Sequence, residues 1–430
     1  MYSPAKYERL SHQAQALKGL NCFGELVLLR TDFNVPLSKG PKGELSVSDA
    51  TRIDAALPTV RLLLGKGAKL VIVSHLGRPE PNKASLSALR LTHGLNPVFS
   101  VLKERLGAEN IGFVDSCVGP VADTAIAQLQ SGQALLLENV RFHVGETQND
   151  LDFAKQLSKH FRIFVNDAFG VLHRDDASVT GVAKIIPNCF PGLLVAKEVH
   201  ILSGLFLRPR MPLVVLIGGA KVADKMGVVG KFCETASKVL VGGKMAFTFL
   251  AAKGVLVGAT QVDEPHRFEE ARNIEKKARS YGVDFLLPSD QVVAANLEGP
   301  LPTAIVPLTL ACCTSPLEPC IRDGFVGGDI GPKTVKEFED VIQTACTIFW
   351  NGPLGAYEMP AFSFGTLAIA HAIAAATKKG ATTIVGGGDS SAAVHEAGLT
   401  AADFTHICTG GGASLEFLQG NMLPGLAVWT

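Results

Sequence analysis

Two lysines set the first chemical question. Lys221 and Lys225 lie in Pro212–Lys225, PLVVLIGGAKVADK, just beyond an apolar run and the glycine pair Gly218-Gly219. Glycine has no Cβ, so backbone there can come close to a ligand. The first N–H groups of a helix and both lysines then face one spot, an arrangement suited to phosphate. No G-x-x-x-x-G-K-[ST] occurs in the chain, so this is not a P-loop. Taken alone, the stretch reads equally well as a tight strand-to-helix turn with solvated lysines.

A second set of residues is cationic. Arg78 follows the apolar run Leu70–Val73, with His75 between; Arg141 follows Ala134–Leu137; Arg174 follows Ile163–Val165. Asp32 and Asn34 follow Leu26–Leu29, and Arg52 opens a helical stretch over Thr51–Leu64. Guanidinium groups bind phosphate and carboxylate through paired hydrogen bonds. A single arginine in such a place is more often a surface ion pair. Several at the ends of strands in one half of the chain point to a small, multiply charged anion. His173-Arg174-Asp175 imitates a protein-kinase catalytic loop, but the accompanying motifs are missing.

The other half reads differently. Strand-like runs exit into Gly218-Gly219, Gly242-Gly243-Lys244, Gly386-Gly387-Gly388-Asp389-Ser390 and Gly410-Gly411-Gly412. Four such exits make a bare backbone floor, as a nucleotide requires. Asp389 is placed to reach a Mg²⁺ held by phosphate oxygens, or to cap a helix. Glu358 is placed to accept hydrogen bonds from ribose hydroxyls, or is a solvated loop carboxylate. Gly327–Thr334, GGDIGPKT, reads as a turn-rich loop.

These positions need a scaffold. Apolar runs alternate with helical patterns, the signature of parallel sheets with helices on both faces. The expected class is α/β, with two doubly wound, Rossmann-like parallel-sheet domains. Pro191-Gly192 breaks the chain, and a helical stripe follows to Phe206. The expected division is 1–192, a connecting helix over 193–207, a domain over 208–409, and a last segment over 410–430. The chain has 430 residues, 47% hydrophobic and 19% charged, with 40 basic against 40 acidic residues. Zero formal charge argues against nucleic-acid or membrane binding driven by bulk charge. No signal-peptide core, membrane-length apolar run or cysteine framework is present, and Cys312-Cys313 are adjacent. A cytoplasmic, monomeric protein is expected.

The stretches TDFNVP, SHLGRP, LLENVRF, NDAFGVLHR, IGGAKVADK, GGKMAFTFL, GGDIGPKT, FWNGPLGAYE, VGGGDSSAA and CTGGGASLEFLQG together resemble the phosphoglycerate kinase family, in order and spacing, nearly end to end. The resemblance implies reversible phosphoryl transfer between ATP and the carboxylate of 3-phosphoglycerate, a glycolytic step that gives ADP and 1,3-bisphosphoglycerate. It implies that Asp32, Asn34, Arg52, His75, Arg78, Arg141 and Arg174 hold 3-phosphoglycerate. Lys221 and Lys225 would contact the nucleotide phosphates and the phosphoryl in flight, with Arg52 on its other side. Gly218, Gly219 and Pro353 belong to the nucleotide set; Gly327, Asn351 and Glu358 would line the nucleoside. Gly387, Gly388, Asp389 and Ser390 would form the phosphate end, with Asp389 near Mg²⁺. The segment after Gly412 would return to the first domain. The chain departs from the family at Lys244, commonly Gly, at Ser390, commonly Thr, and in its AVWT tail.

The physical logic agrees. A carboxylate nucleophile is already ionised at neutral pH and needs no general base. Catalysis is then alignment plus neutralisation of spread negative charge. Substrates on separate lobes call for hinge-bending closure. A carboxylate ligase would need an amine site, to which nothing here points. A non-catalytic nucleotide-binding descendant would be expected to lose Lys225 or Arg52, and both are present.

Overall fold

A computed structural model of the chain describes residues 4–262, 265–298, 303–308 and 320–429. Cys312 and Cys313 lie outside the described residues. The chain divides into two compact units: Met1–Ser203 with Asn421–Thr430, and Gly204–Gly420. The division falls inside the helix Leu193–Leu207.

The first unit is built on a six-stranded parallel sheet. Its order is Ile111–Val114, Ala134–Leu137, Lys69–Val73, Leu26–Arg30, Ile163–Asn166, Asn188–Pro191. Continuous apolar runs fit strands covered on both faces. Side chains still alternate. Val27, Leu29, Leu70 and Ile72 enter one core, while Leu28, Val71 and Val73 enter another.

The second unit repeats the plan. Its parallel sheet runs Asp284–Leu286, Lys238–Val241, Leu213–Ile217, Thr347–Asn351, Thr382–Gly386, His406–Ile407. Leu213–Ile217 and Thr347–Asn351 are buried throughout. One face packs Val214, Leu216, Ile348 and Trp350 into a core; on the other, Phe349 stacks on Phe232 at 5.3 Å.

Two features differ from the sequence reading. A helix at Pro4–Gly19 had no counterpart in it. The second unit also carries a small antiparallel sheet, ordered Ala304–Pro307, Asp290–Ala294, Val326–Ile330. Gly327 and Gly328, expected in a loop, are strand residues, and a helix follows at Pro332–Gln343. The glycines are there because aromatic rings lie on the backbone. A Cβ on Gly327 would come 2.2 Å from Phe247, and one on Gly328 would come 2.2 Å from Phe362.

The start of the helix Leu193–Leu207 is held by Asp167. Its Oδ1 accepts from the backbone N–H groups of Leu194 and Val195, at 2.8 and 3.2 Å. Asp167 is fully buried, and that burial pushes its carboxyl up to about 6.

Candidate active site

In the first unit, strand ends deliver the cations. Arg52 sits in the first turn of the helix Thr51–Gly65 and donates to Asp32 Oδ2 at 2.6 Å. Asn34 Oδ1 accepts from Gly77 N–H at 2.8 Å, which ties two strand-end loops together. Arg141 lies in a short 3-10 turn, Val140–Phe142, capped by Asn139, whose side chain accepts from Arg141 N–H at 3.1 Å. The Arg141 guanidinium donates to Gly77 O at 2.7 Å and lies 3.8 Å from Asp176. Its Nε and the second terminal nitrogen, the one nearest Asp176, are buried and make no hydrogen bond among the described residues. Burial first, then Arg174 and Arg30, bring its pKa down to about 10. Arg78 is exposed.

His75 is buried at 2% exposure, and its pKa falls well below the ordinary value. Desolvation is the main cause, followed by Arg30, Arg141, Arg52 and Arg174. The imidazole is therefore neutral at pH 7. Arg30 donates to His75 Nδ1 at 3.3 Å, and a guanidinium can only donate. The ring proton is thus on Nε2.

Arg30 was not among the expected site residues. It is fully buried at the end of the strand Leu26–Arg30, where its Nε donates to Ser178 Oγ at 2.7 Å. Ser178 Oγ donates in turn to Glu146 Oε1 at 2.6 Å, and Arg30 lies 3.9 Å from that carboxylate. A charged residue closing a buried strand was the one available signal. It could not be separated from a solvated strand end without knowing that Glu146 folds beneath it.

In the second unit, the glycines do two jobs. Lys221 is the residue before the helix Val222–Phe232, and Lys225 lies in its first turn. Lys225 is 8% exposed; its Nζ donates to Gly218 O at 2.6 Å and lies 3.4 Å from Asn351 O. A Cβ on Gly219 would come 2.9 Å from that nitrogen, and one on Gly352 would come 2.3 Å. The glycines thus make a niche for the ammonium as well as a bare floor. Desolvation lowers Lys225 to about 8, with Asp389 and Asp224 opposing the shift.

Beside this niche is a cavity of about 540 Å³. Gly219, Gly327, Pro353, Glu358 and Asp389 line it, together with Lys244 and Phe247. Gly218, Asn351, Gly387, Gly388, Ser390 and the two lysines do not line it. Ser390 is fully buried: its Oγ donates to Gly386 O at 2.8 Å and accepts from Gly352 N–H at 2.6 Å. Asn351 is 2% exposed, with its Nδ2 unpartnered among the described residues and facing Gly386 and Gly387. Gly410–Gly412 do not reach the cavity either. Asp329, on the cavity wall, is buried and pushed up to about 7 by desolvation; Gly365 and Ile330 N–H groups donate to it at 2.6 and 2.9 Å.

The family model for phosphoglycerate kinase matches residues 17–421. The chain is 45% identical over 404 residues to the chloroplastic phosphoglycerate kinase of Volvox carteri, covering 94% of this chain and 83% of that one. It is likewise 45% identical to the phosphoglycerate kinase of Microcystis aeruginosa, covering 94% and 95%. The solved phosphoglycerate kinase of Coxiella burnetii superposes with a TM-score of 0.79 at 33% identity, covering 95% of this chain and 97% of that one. A cluster of buried guanidinium groups, a glycine-walled cavity and these matches along nearly the whole length agree: the chain belongs to the phosphoglycerate kinase family and catalyses reversible phosphoryl transfer between ATP and the carboxylate of 3-phosphoglycerate.

Proposed function

We propose that the division of labour follows the two clusters. Asp32, Asn34, Arg52, His75, Arg78, Arg141 and Arg174 hold 3-phosphoglycerate. Arg141 and Arg174 supply paired donors to its anionic groups, and Asp32 fixes Arg52. Neutral His75 donates from Nε2. The cavity in the second unit takes the nucleoside, with Gly219, Gly327, Pro353 and Glu358 against it. Asn351, Gly387, Gly388 and Ser390 shape the phosphate end, with Gly218 behind them. Lys221, Lys225 and Arg52 neutralise the phosphoryl group as it transfers. The observation that carries this reading is Lys225. An ammonium held in a glycine niche, with its carbonyl partners already in place, is a preorganised donor for charge that develops in the transition state.

Magnesium fits the second unit. Asp389 is an exposed carboxylate in the first turn of the helix Gly388–Glu396, on the cavity rim, and offers the hard oxygen ligand such an ion prefers. The bound ion would neutralise phosphate oxygens. Replacing Asp389 by Ala tests this: the Mg²⁺ concentration giving half-maximal rate should rise, with the KM for 3-phosphoglycerate unchanged. An unaltered Mg²⁺ dependence would leave Asp389 as a helix-start residue only.

The same proposal includes a monomer working in the cytoplasm. None of Cys22, Cys117, Cys189, Cys233 and Cys346 is in a disulfide, in keeping with a reducing compartment. Light scattering on the eluting protein would test the monomer.

A further inference from the structure

Every guanidinium nitrogen of Arg30 is engaged. Nε donates to Ser178 Oγ at 2.7 Å, Nη1 donates to Thr31 O, and Nη2 donates to His75 Nδ1 at 3.3 Å. The last of these contacts has a rival. Glu146 Oε1 lies 3.9 Å from the same Nη2, and both side chains are fully buried. A carboxylate is a stronger acceptor for a guanidinium than a neutral imidazole, because charge attraction adds to the hydrogen bond. Nη2 should therefore leave His75 for Glu146 unless the carboxylate is held back. Ser178 holds it. Its Oγ donates to Oε1 at 2.6 Å, the oxygen that faces Nη2, and its backbone N–H donates to Oε2 at 2.9 Å. The residue sits in the π turn Ala177–Gly181, a distortion of helix geometry that recurs at functional sites.

We infer that Ser178 is a positioning residue for 3-phosphoglycerate: its hydroxyl occupies Glu146 Oε1 and anchors Arg30 Nε, which keeps Arg30 Nη2 on His75 Nδ1 and the ring proton on Nε2. Without the hydroxyl, Nε loses its acceptor and Oε1 its donor. Closing Arg30 onto Glu146 satisfies both buried charges. Nδ1 then has no donor, and Asp32 Oδ1 lies 3.9 Å from it. A neutral imidazole carries one ring proton, and the Asp32 carboxylate draws it to Nδ1. Nε2 becomes an acceptor, with a lone pair where the anionic substrate needs a donor. This inference rests on the reading above that His75 Nε2 meets 3-phosphoglycerate.

The test uses Ser178→Ala, which removes the hydroxyl and keeps the backbone donor to Glu146 Oε2. Long-range proton–nitrogen NMR spectra of ligand-free protein with labelled histidine tell an N–H ring nitrogen from a bare one. A His75→Asn sample assigns the signals. Wild-type protein should carry the proton on Nε2, and Ser178→Ala on Nδ1. In steady-state assays Ser178→Ala should raise the KM for 3-phosphoglycerate about tenfold, the lower end for one hydrogen bond to a charged group. Its kcat and KM for ATP should change little. Adding Glu146→Gln to Ser178→Ala weakens the rival acceptor and should return the proton to Nε2. The inference falls if wild-type protein carries the proton on Nδ1, if Ser178→Ala leaves it on Nε2, or if the double variant leaves it on Nδ1. A role confined to packing would lower the melting temperature and leave the proton in place, which is the second of these results. If the proton moves in Ser178→Ala but the KM for 3-phosphoglycerate does not, Ser178 still sets the tautomer. The reading that His75 Nε2 meets the substrate is then what is overturned.

Discussion

On the division of labour proposed above, the two units solve anion recognition by opposite means. In the first, the working groups are side chains, and their cost is visible: Arg30 is fully buried and Arg141 6% exposed. Arg30 is balanced by Glu146, and Arg141 by Gly77 O and Asp176. In the second, the working surface is mostly backbone. Gly219, Gly327 and Gly328 form walls, and the buried cation Lys225 sits among glycines, its ammonium held by Gly218 O. The difference teaches which forces set each site. A charge-paired cluster resists change because removing one partner strands another. A glycine-walled cavity instead depends on steric clearance, and on the proposed reading a bound nucleotide supplies the counter-charge.

The contrast can be broken most directly at Lys225. Lys225→Met should lower kcat by about 10²–10³, the usual loss for one preorganised donor, with both KM values little changed in steady-state assays. A wild-type kcat would remove Lys225 from the chemistry. Next comes Arg141→Ala, which should raise the KM for 3-phosphoglycerate about 10- to 100-fold, the effect of losing charged hydrogen bonds. The KM for ATP should move little. Equal effects on both substrates would contradict the division between the units.

A pH profile sharpens the same comparison. Lys225 in the folded chain titrates near 8 against an ordinary 10.5. Between these values the unfolded chain binds more protons than the folded one, so Lys225 makes stability rise with pH across that window. Activity should move the other way. The free enzyme loses its ammonium above about 8, and kcat/KM should fall about fivefold from pH 8 to 9. The residual activity of Lys225→Met should lack that limb. The smallest expected effect is at Lys244, half-buried in the first turn of the helix Gly243–Ala252 and on the cavity wall. Lys244→Ala should weaken ATP binding about two- to fivefold, the scale of a partly solvated ion pair, and less so at high salt. An unchanged affinity at low salt would leave Lys244 a solvated side chain.

Much of this was legible in the residues. Apolar runs followed by polar or glycine-rich exits identified most strands of both parallel sheets, because a strand covered on both faces must be apolar throughout. Arg78, Arg141 and Arg174 stood out because each follows such a run. The antiparallel sheet did not stand out. Val326–Ile330 carries two glycines, which weaken a strand's signature. Only the rings of Phe247 and Phe362, distant in the chain, explain why they are there.

The sequence by itself determined most strands of the parallel sheets and the two halves, arginine-rich and glycine-rich. These follow from local composition and periodicity, which need no knowledge of what packs on what; the family came from the resemblance of its motifs. The tertiary structure decided the protonation and the partners. Arg30 pairs with Glu146 and orders His75 across 116 and 45 residues of sequence. Lys225 is lowered because burial removes its water, and burial is a property of the whole fold. Gln291 is an ordinary polar residue in the sequence; only the packing of the fold around it leaves its amide buried and without a hydrogen-bond partner among the described residues.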